Sequence, residues 1–194
     1  MQQLEPDVTA YNVTQLLALH GELDVLRLRS ACRSLIERHE ALRCRFFEDN
    51  GQVRQRLDAA PEASFALHDL RASSAEAREV AIAQAAQRVF DLAQGPLVAI
   101  DLFQFSEDDY RLLFNAHHIA VDGWSMGLLV QDLASLYEGR QAAPATGLLQ
   151  VIEAQRQTLE GDAGQALLDY WQQRLQGLSD EPLTLSESPR PALQ

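Results

Sequence analysis

The chain has 194 residues, 46% hydrophobic and 23% charged, which supplies the core of one sizeable domain and excludes a largely disordered protein. Its formal net charge is −12, and all 16 basic residues are arginine. That balance argues against nucleic acid or an anionic membrane as the main partner, and no apolar run approaches the length of a membrane span.

Residues 1–6 read as a short lead, and Tyr11 to Leu19 predicts a first strand. Glu22 to His39 predicts an amphipathic helix whose apolar side is approximated by Leu23, Leu26, Leu28, Ala31, Leu35 and Ile36. The run Arg38-His39-Glu40-Ala41-Leu42-Arg43 closes that helix and enters a strand through Phe47. Asn50-Gly51 accepts the positive φ angles of a tight hairpin, with a return strand over Gln52 to Leu57. Ser64 to Leu70 predicts another strand. Ser74 caps a helix running to Phe90, with Ala77, Val80, Ala81, Ile82, Ala85, Ala86 and Val89 on its buried side.

Gly95-Pro96 then breaks the chain, and Leu97 to Phe105 pairs with Tyr110 to His118 in a hairpin around residues 106–109. Three helical stretches follow, from about Trp124 to Tyr137, Leu148 to Leu159 and Gly164 to Leu175. The fold class expected is α/β, a mixed β-sheet with helices packed against it. Cys32 and Cys44 fall on a predicted helix and strand and read as reduced, small apolar side chains. With no signal peptide visible, the expected location is cytoplasmic.

The chemistry gathers in Asn115 to Ser125, N-A-H-H-I-A-V-D-G-W-S. Strand alternation puts His118 on the face of Leu112, Phe114 and Ala116 and turns His117 to the opposite side. An imidazole at the end of a strand, just before a turn, suits a general base near neutral pH. Gly123 lets the backbone turn sharply, and the next helix presents free N–H groups beside it. Ser125 has no Gly-x-Ser-x-Gly elbow and reads as a cap of that helix. Trp124, Leu128, Leu129, Leu133 and Tyr137 recur at helical spacing and read as core. Adjacent strand histidines diverge and no second Cys/His cluster accompanies them, so no metal site is expected. His20, His39 and His68 look isolated and structural.

H-H-x-x-x-D-G followed by W-S resembles the signature of condensation domains of nonribosomal peptide synthetases, in the superfamily that includes chloramphenicol acetyltransferase. R-H-E-x-L-R followed by an aromatic resembles the family's second motif, with Cys44 where threonine is common. The Gln3-Leu4-Glu5-Pro6 stretch, Tyr11-Asn12-Val13, and the run from Asp169-Tyr170-Trp171 to Ser188-Pro189-Arg190-Pro191 extend the likeness along the chain. Leu149 to Ala154 matches the intervening aromatic-rich motif poorly. The family's first motif falls just upstream, and no counterpart of the second lobe with its asparagine-containing motif is present.

The resemblance implies the N-terminal lobe of a chloramphenicol acetyltransferase-like fold over residues 1–177. Residues 178–194 would then be a linker or crossover towards an absent C-terminal lobe. It also implies amide-bond formation, by attack of an acceptor aminoacyl amine on a donor acyl or peptidyl thioester, both carried on phosphopantetheine arms. The catalytic role falls on His118, with backbone N–H groups near Gly123 stabilising the carbonyl charge. His117 supports the site structurally, and Asp122 anchors it through a buried ion pair with Arg43, costly to break from one side. No cofactor is bound directly. The implied partners are donor and acceptor peptidyl carrier proteins, the C-terminal lobe and an adjacent adenylation domain. Two other readings stand beside this one. The first is an epimerization or ester-forming relative, against which Trp124-Ser125-Met126 weighs. The second is a silent lobe that binds a carrier protein or its second half without turnover.

Overall fold

The computed structural model describes residues 8–58, 65–140 and 146–178. The chain divides into two compact units, Met1–Leu148 and Leu149–Gln194. The first unit begins with β1 (Asn12–His20), α1 (Val25–Arg38), a 3-10 turn (Glu40–Arg43), β2 (Cys44–Asp49) and β3 (Gln52–Leu57). It continues with β4 (Phe65–Asp69), α2 (Ala75–Ala86), β5 (Val98–Gln104), β6 (Asp109–His117) and α3 (Gly123–Tyr137). Four strands form one sheet in the order β1-β6-β5-β4, and β2-β3 is a separate hairpin. Only β4 and β5 run parallel within the larger sheet, which is therefore mixed, as the sequence leads one to expect.

β6 lies inside that sheet, and side-chain alternation gives it two different faces. Leu112, Phe114 and Ala116 join Val98, Ile100 and Leu102 of β5 in a core with Leu28, Cys32, Leu35 and Ile36 of α1 and Met126, Leu129 and Leu133 of α3. Asn115 and His117 belong to the other face, where both are buried. Asp24 caps α1 by accepting the Arg27 N–H at 2.9 Å, and Tyr137 Oη at the end of α3 accepts the Asp24 N–H at 3.0 Å.

Three departures from the sequence reading have geometric causes. Leu26 is 77% exposed, because at 100° per residue it lies nearly opposite Leu28, and Cys32 takes the inward position instead. Trp124 and Leu128 lie outside the core for the same reason, on the side of α3 away from Met126, Leu129 and Leu133. α2 ends at Ala86 rather than Phe90, although Ser74 does cap its start by accepting the Ala77 N–H at 3.2 Å. Val80 and Val89 are exposed; Phe90 is buried with Leu97 and Ala99 in a second, smaller cluster. The hairpin turn follows its composition, with φ of 52° at Asn50 and 76° at Gly51.

Two helices, α4 (Leu148–Glu160) and α5 (Asp162–Leu175), make up most of the described second unit. No helix among the described residues is long and apolar enough to cross a membrane. The expected lead over residues 1–6 and most of the expected linker, residues 179–194, lie outside the described residues.

Both cysteines are buried free thiols. Burial pushes the Cys32 thiol up to about 12 and raises that of Cys44. Cys44 Sγ also accepts from Gln55 Nε2 at 2.9 Å and lies 3.4 Å from the Glu40 carbonyl, polar contacts that a hydroxyl would make equally well. Neither thiol supplies thiolate to a reagent at mildly alkaline pH. Iodoacetamide should therefore leave the native chain unmodified and alkylate both residues after unfolding, as read by intact mass. Fast alkylation of the native chain would show that the burial is wrong.

Candidate active site

The site is built where β6 hands over to α3. His117, the last residue of β6, donates its backbone N–H to the Leu97 carbonyl at 2.9 Å. His118 donates its own to the Tyr11 carbonyl at 2.8 Å. The two residues are thus held from both flanks. A turn follows, closed by the Ala120 N–H on the His117 carbonyl at 2.9 Å and pinned by Val121, which is buried in the main core.

His117 faces away from the main core, between Tyr11 (ring centroids 6.0 Å) and the edge of Phe90 (6.4 Å). Its Nδ1 accepts the Ile119 N–H at 3.0 Å, which requires the ring to be deprotonated at that nitrogen. Burial, and then the charge of His118, depress its pKa and favour that neutral form. His117 therefore stiffens the turn. His118 sits one residue beyond the strand and is exposed, so it does not lie on the apolar face that alternation alone assigns it.

Asp122 is the N-cap of α3, accepting the Ser125 N–H and the Ser125 hydroxyl at 2.7 Å each. Those hydrogen bonds hold its carboxyl below the ordinary range, with a smaller contribution from the charge of His118. This corrects two expectations. The cap is Asp122 rather than Ser125, which occupies the third helical position and binds back to the cap. Asp122 is also exposed and bonded to Ser125, and not joined to Arg43 in a buried ion pair, so the desolvation that makes such pairs costly to break is missing. Arg43, half-buried, donates from Nη1 to the Asp58 carbonyl at 2.5 Å.

Gly123 opens α3 with open space where a Cβ would stand, and its φ is not left-handed. A turn conformation is therefore not what calls for glycine there. With the Ser125 N–H taken by Asp122 and the Met126 N–H by the Asp122 carbonyl, the Gly123 and Trp124 N–H groups are the unpaired first-turn donors among the described residues. Trp124 beside them is 82% exposed.

Sequence reasoning overlooked Asp132. Its Oδ2 takes Arg38 Nε at 3.0 Å and His39 Nε2 at 2.9 Å, so the first two residues of R-H-E-A-L-R grip α3, the helix that Asp122 and Gly123 begin. Burial opposes ionisation of Asp132, but the hydrogen bonds from Arg38 and His39 outweigh it and lower its pKa. His20 and His68 also have acidic neighbours, Asp109 at 3.2 Å and the buried Asp101 at 2.7 Å, so none of the three histidines is isolated. An acidic residue on a facing helix leaves no mark at fixed spacing, which is why Asp132 escaped notice.

The model of the condensation domain family matches residues 1–194. The chain belongs to that family. It is 35% identical over its whole length to a linear gramicidin synthase of Brevibacillus parabrevis, and 33% identical to a surfactin synthase of Bacillus subtilis. It spans only 4% and 5% of those proteins. The starter condensation domain of rhizomide synthetase RzmA superposes with a TM-score of 0.83 at 27% identity, covering 92% of this chain and 45% of that one. A variant of the same domain solved in complex with C8-CoA matches all of this chain and 46% of its own, at 29% identity and a TM-score of 0.80. The stretch Arg38–Arg43 and the stretch His117–Gly123 meet through α3, which Arg38 and His39 contact at Asp132 and which Gly123 begins.

The charges around α3 can be tested separately. Asp132 has a depressed pKa in the folded chain, so its stabilising contribution is full above the ordinary carboxyl range near about 4 and fades as pH falls through its folded value. Asp132→Asn should cost roughly 1 kcal/mol in urea unfolding at neutral pH, and the gap to the parent should close in acid. A gap that persists in acid would show that the charge is irrelevant. Asp122→Ala should lower the melting temperature modestly and leave the chain folded, and Asp122→Asn, which can still cap, should recover most of the loss. Failure of Asp122→Ala to fold would restore a buried anchor.

Proposed function

We propose that this chain is the histidine-bearing half of a nonribosomal peptide synthetase condensation domain, acting in amide-bond formation. In this reading the acceptor amine, carried on a phosphopantetheine arm, attacks the thioester carbonyl of a donor acyl or peptidyl group carried on another. The C–N bond forms as the C–S bond breaks, the sulfur leaves as the donor arm's thiol, and the amine gives up a proton. His118 accepts or relays that proton. The negative charge that develops on the carbonyl oxygen is met by the Gly123 and Trp124 N–H groups at the positive end of α3.

One observation carries the reading: His118 is exposed, its backbone is held at the strand end, and it precedes by a short turn the only unpaired first-turn donors of α3 among the described residues. His117 and Asp122 support it by holding the turn and capping the helix, and Arg43 closes the other signature stretch. In this reading residues 1–177 belong to the first lobe and 178–194 to a linker or crossover towards a second. Donor and acceptor carrier proteins, that second lobe, an adjacent adenylation domain and a cytoplasmic setting complete the proposal. No cofactor binds the chain itself. The chain spans 45% and 46% of two solved neighbours; the second reading is a lobe that binds its partners without turnover.

Intact-mass analysis of loaded donor and acceptor carrier proteins separates the two. Product is expected when a family second lobe is added, falling by about a hundredfold or more with His118→Ala. Gly123→Val, whose side chain meets open space in this lobe, should leave melting unchanged and cut turnover by crowding the two donors. Carrier binding without product would establish the binding module, and full turnover by His118→Ala would remove the base.

A further inference from the structure

α2 ends four residues earlier than its sequence suggests, and two asparagines stand where it stops. Asn12 on β1 donates from Nδ2 to the carbonyls of Ala86 (3.0 Å) and Arg88 (2.8 Å). Asn115 on β6 donates from Nδ2 to the carbonyls of Ala85 and Ala86, 3.0 Å each. A helix C-terminus leaves carbonyls without partners, and here side chains from two strands satisfy them in place of water or a glycine cap. All three partner oxygens, of Ala85, Ala86 and Arg88, are acceptors, which dictates that both amides turn their NH2 groups towards the helix.

The location ties this clamp to the site. Asn12 is the cross-strand partner of His117, and Asn115 lies two residues before it on the same sheet face. The residue before Asn12, Tyr11, supplies the carbonyl that receives the His118 N–H. The segment that Asn12 grips at Arg88 runs on to Phe90, edge-on to the His117 ring, and to Leu97, whose carbonyl receives the His117 N–H. Both backbone bonds that hold the histidine pair therefore come from segments that Asn12 ties together.

We infer that Asn12 and Asn115 are positioning residues, amide clamps that capture the end of α2 and through it set the backbone of His118. Asn12 is the more telling of the two because it joins both flanking segments. Replacing its amide by a carboxylate of the same shape turns two attractions towards carbonyl oxygens into repulsions. Asn12→Asp should therefore do more damage than Asn12→Ala, an order that simple loss of volume reverses.

Amide hydrogen exchange on the chain as it stands tests this without reference to activity. The His118 N–H should exchange about tenfold faster in Asn12→Asp, and less so in Asn12→Ala, while Leu112 and Phe114 in the same strand keep their parent rates. If Asn12→Asp does not fold, Asn12→Ala against the parent gives the same comparison. An unchanged His118 rate, or equal acceleration along all of β6, would overturn the clamp. A second arm rests on the proposed reaction: with a second lobe supplied, kcat should fall roughly tenfold at unchanged KM. If the parent chain forms no product, the proposed reaction fails and the exchange data still decide the clamp.

Discussion

Two backbone hydrogen bonds carry much of this structure: His117 to Leu97 and His118 to Tyr11. They fix the end of β6 from both flanks, so the turn that follows leaves the sheet in one direction. That turn exposes His118, buries Val121 and delivers Asp122 to the start of α3.

The helix is held at three heights by different physics. At its start Asp122 accepts from Ser125, a local bond that needs no partner from elsewhere in the fold. Along its length Met126, Leu129 and Leu133 pack into the core shared with α1 and β6. On its flank Asp132 receives Arg38 and His39, so the stretch that ends α1 also fixes the helix of the histidine motif. Two signature stretches far apart in the chain act on one element, and the ionised carboxylate between them keeps their positions mutually dependent.

The unused polar groups on the other face follow the same logic. His117, neutral and buried, gives its lone pair to Ile119, and the paired asparagines give their NH2 groups to the end of α2. Each uses a polar atom to stop or turn the chain, although the buried Asn115 Oδ1 is left without a hydrogen bond.

Alternation and helical spacing were enough to reveal most elements, because they depend on neighbours a few residues apart. The α/β class, the Asn50-Gly51 turn, the capping of α2 by Ser74 and the opposite facing of His117 and Phe114 were all legible in this way. So was the family, from residues packed into two short motifs. Tertiary structure alone decided which apolar positions stayed outside, since Leu26 and Trp124 are apolar by type but lie opposite the buried faces of their helices. It also decided that α2 stops at Ala86, because the donors that end it come from β1 and β6, and that Asp132 receives Arg38 and His39. Those outcomes depend on groups brought together across dozens of residues, and no local pattern in the chain records that proximity.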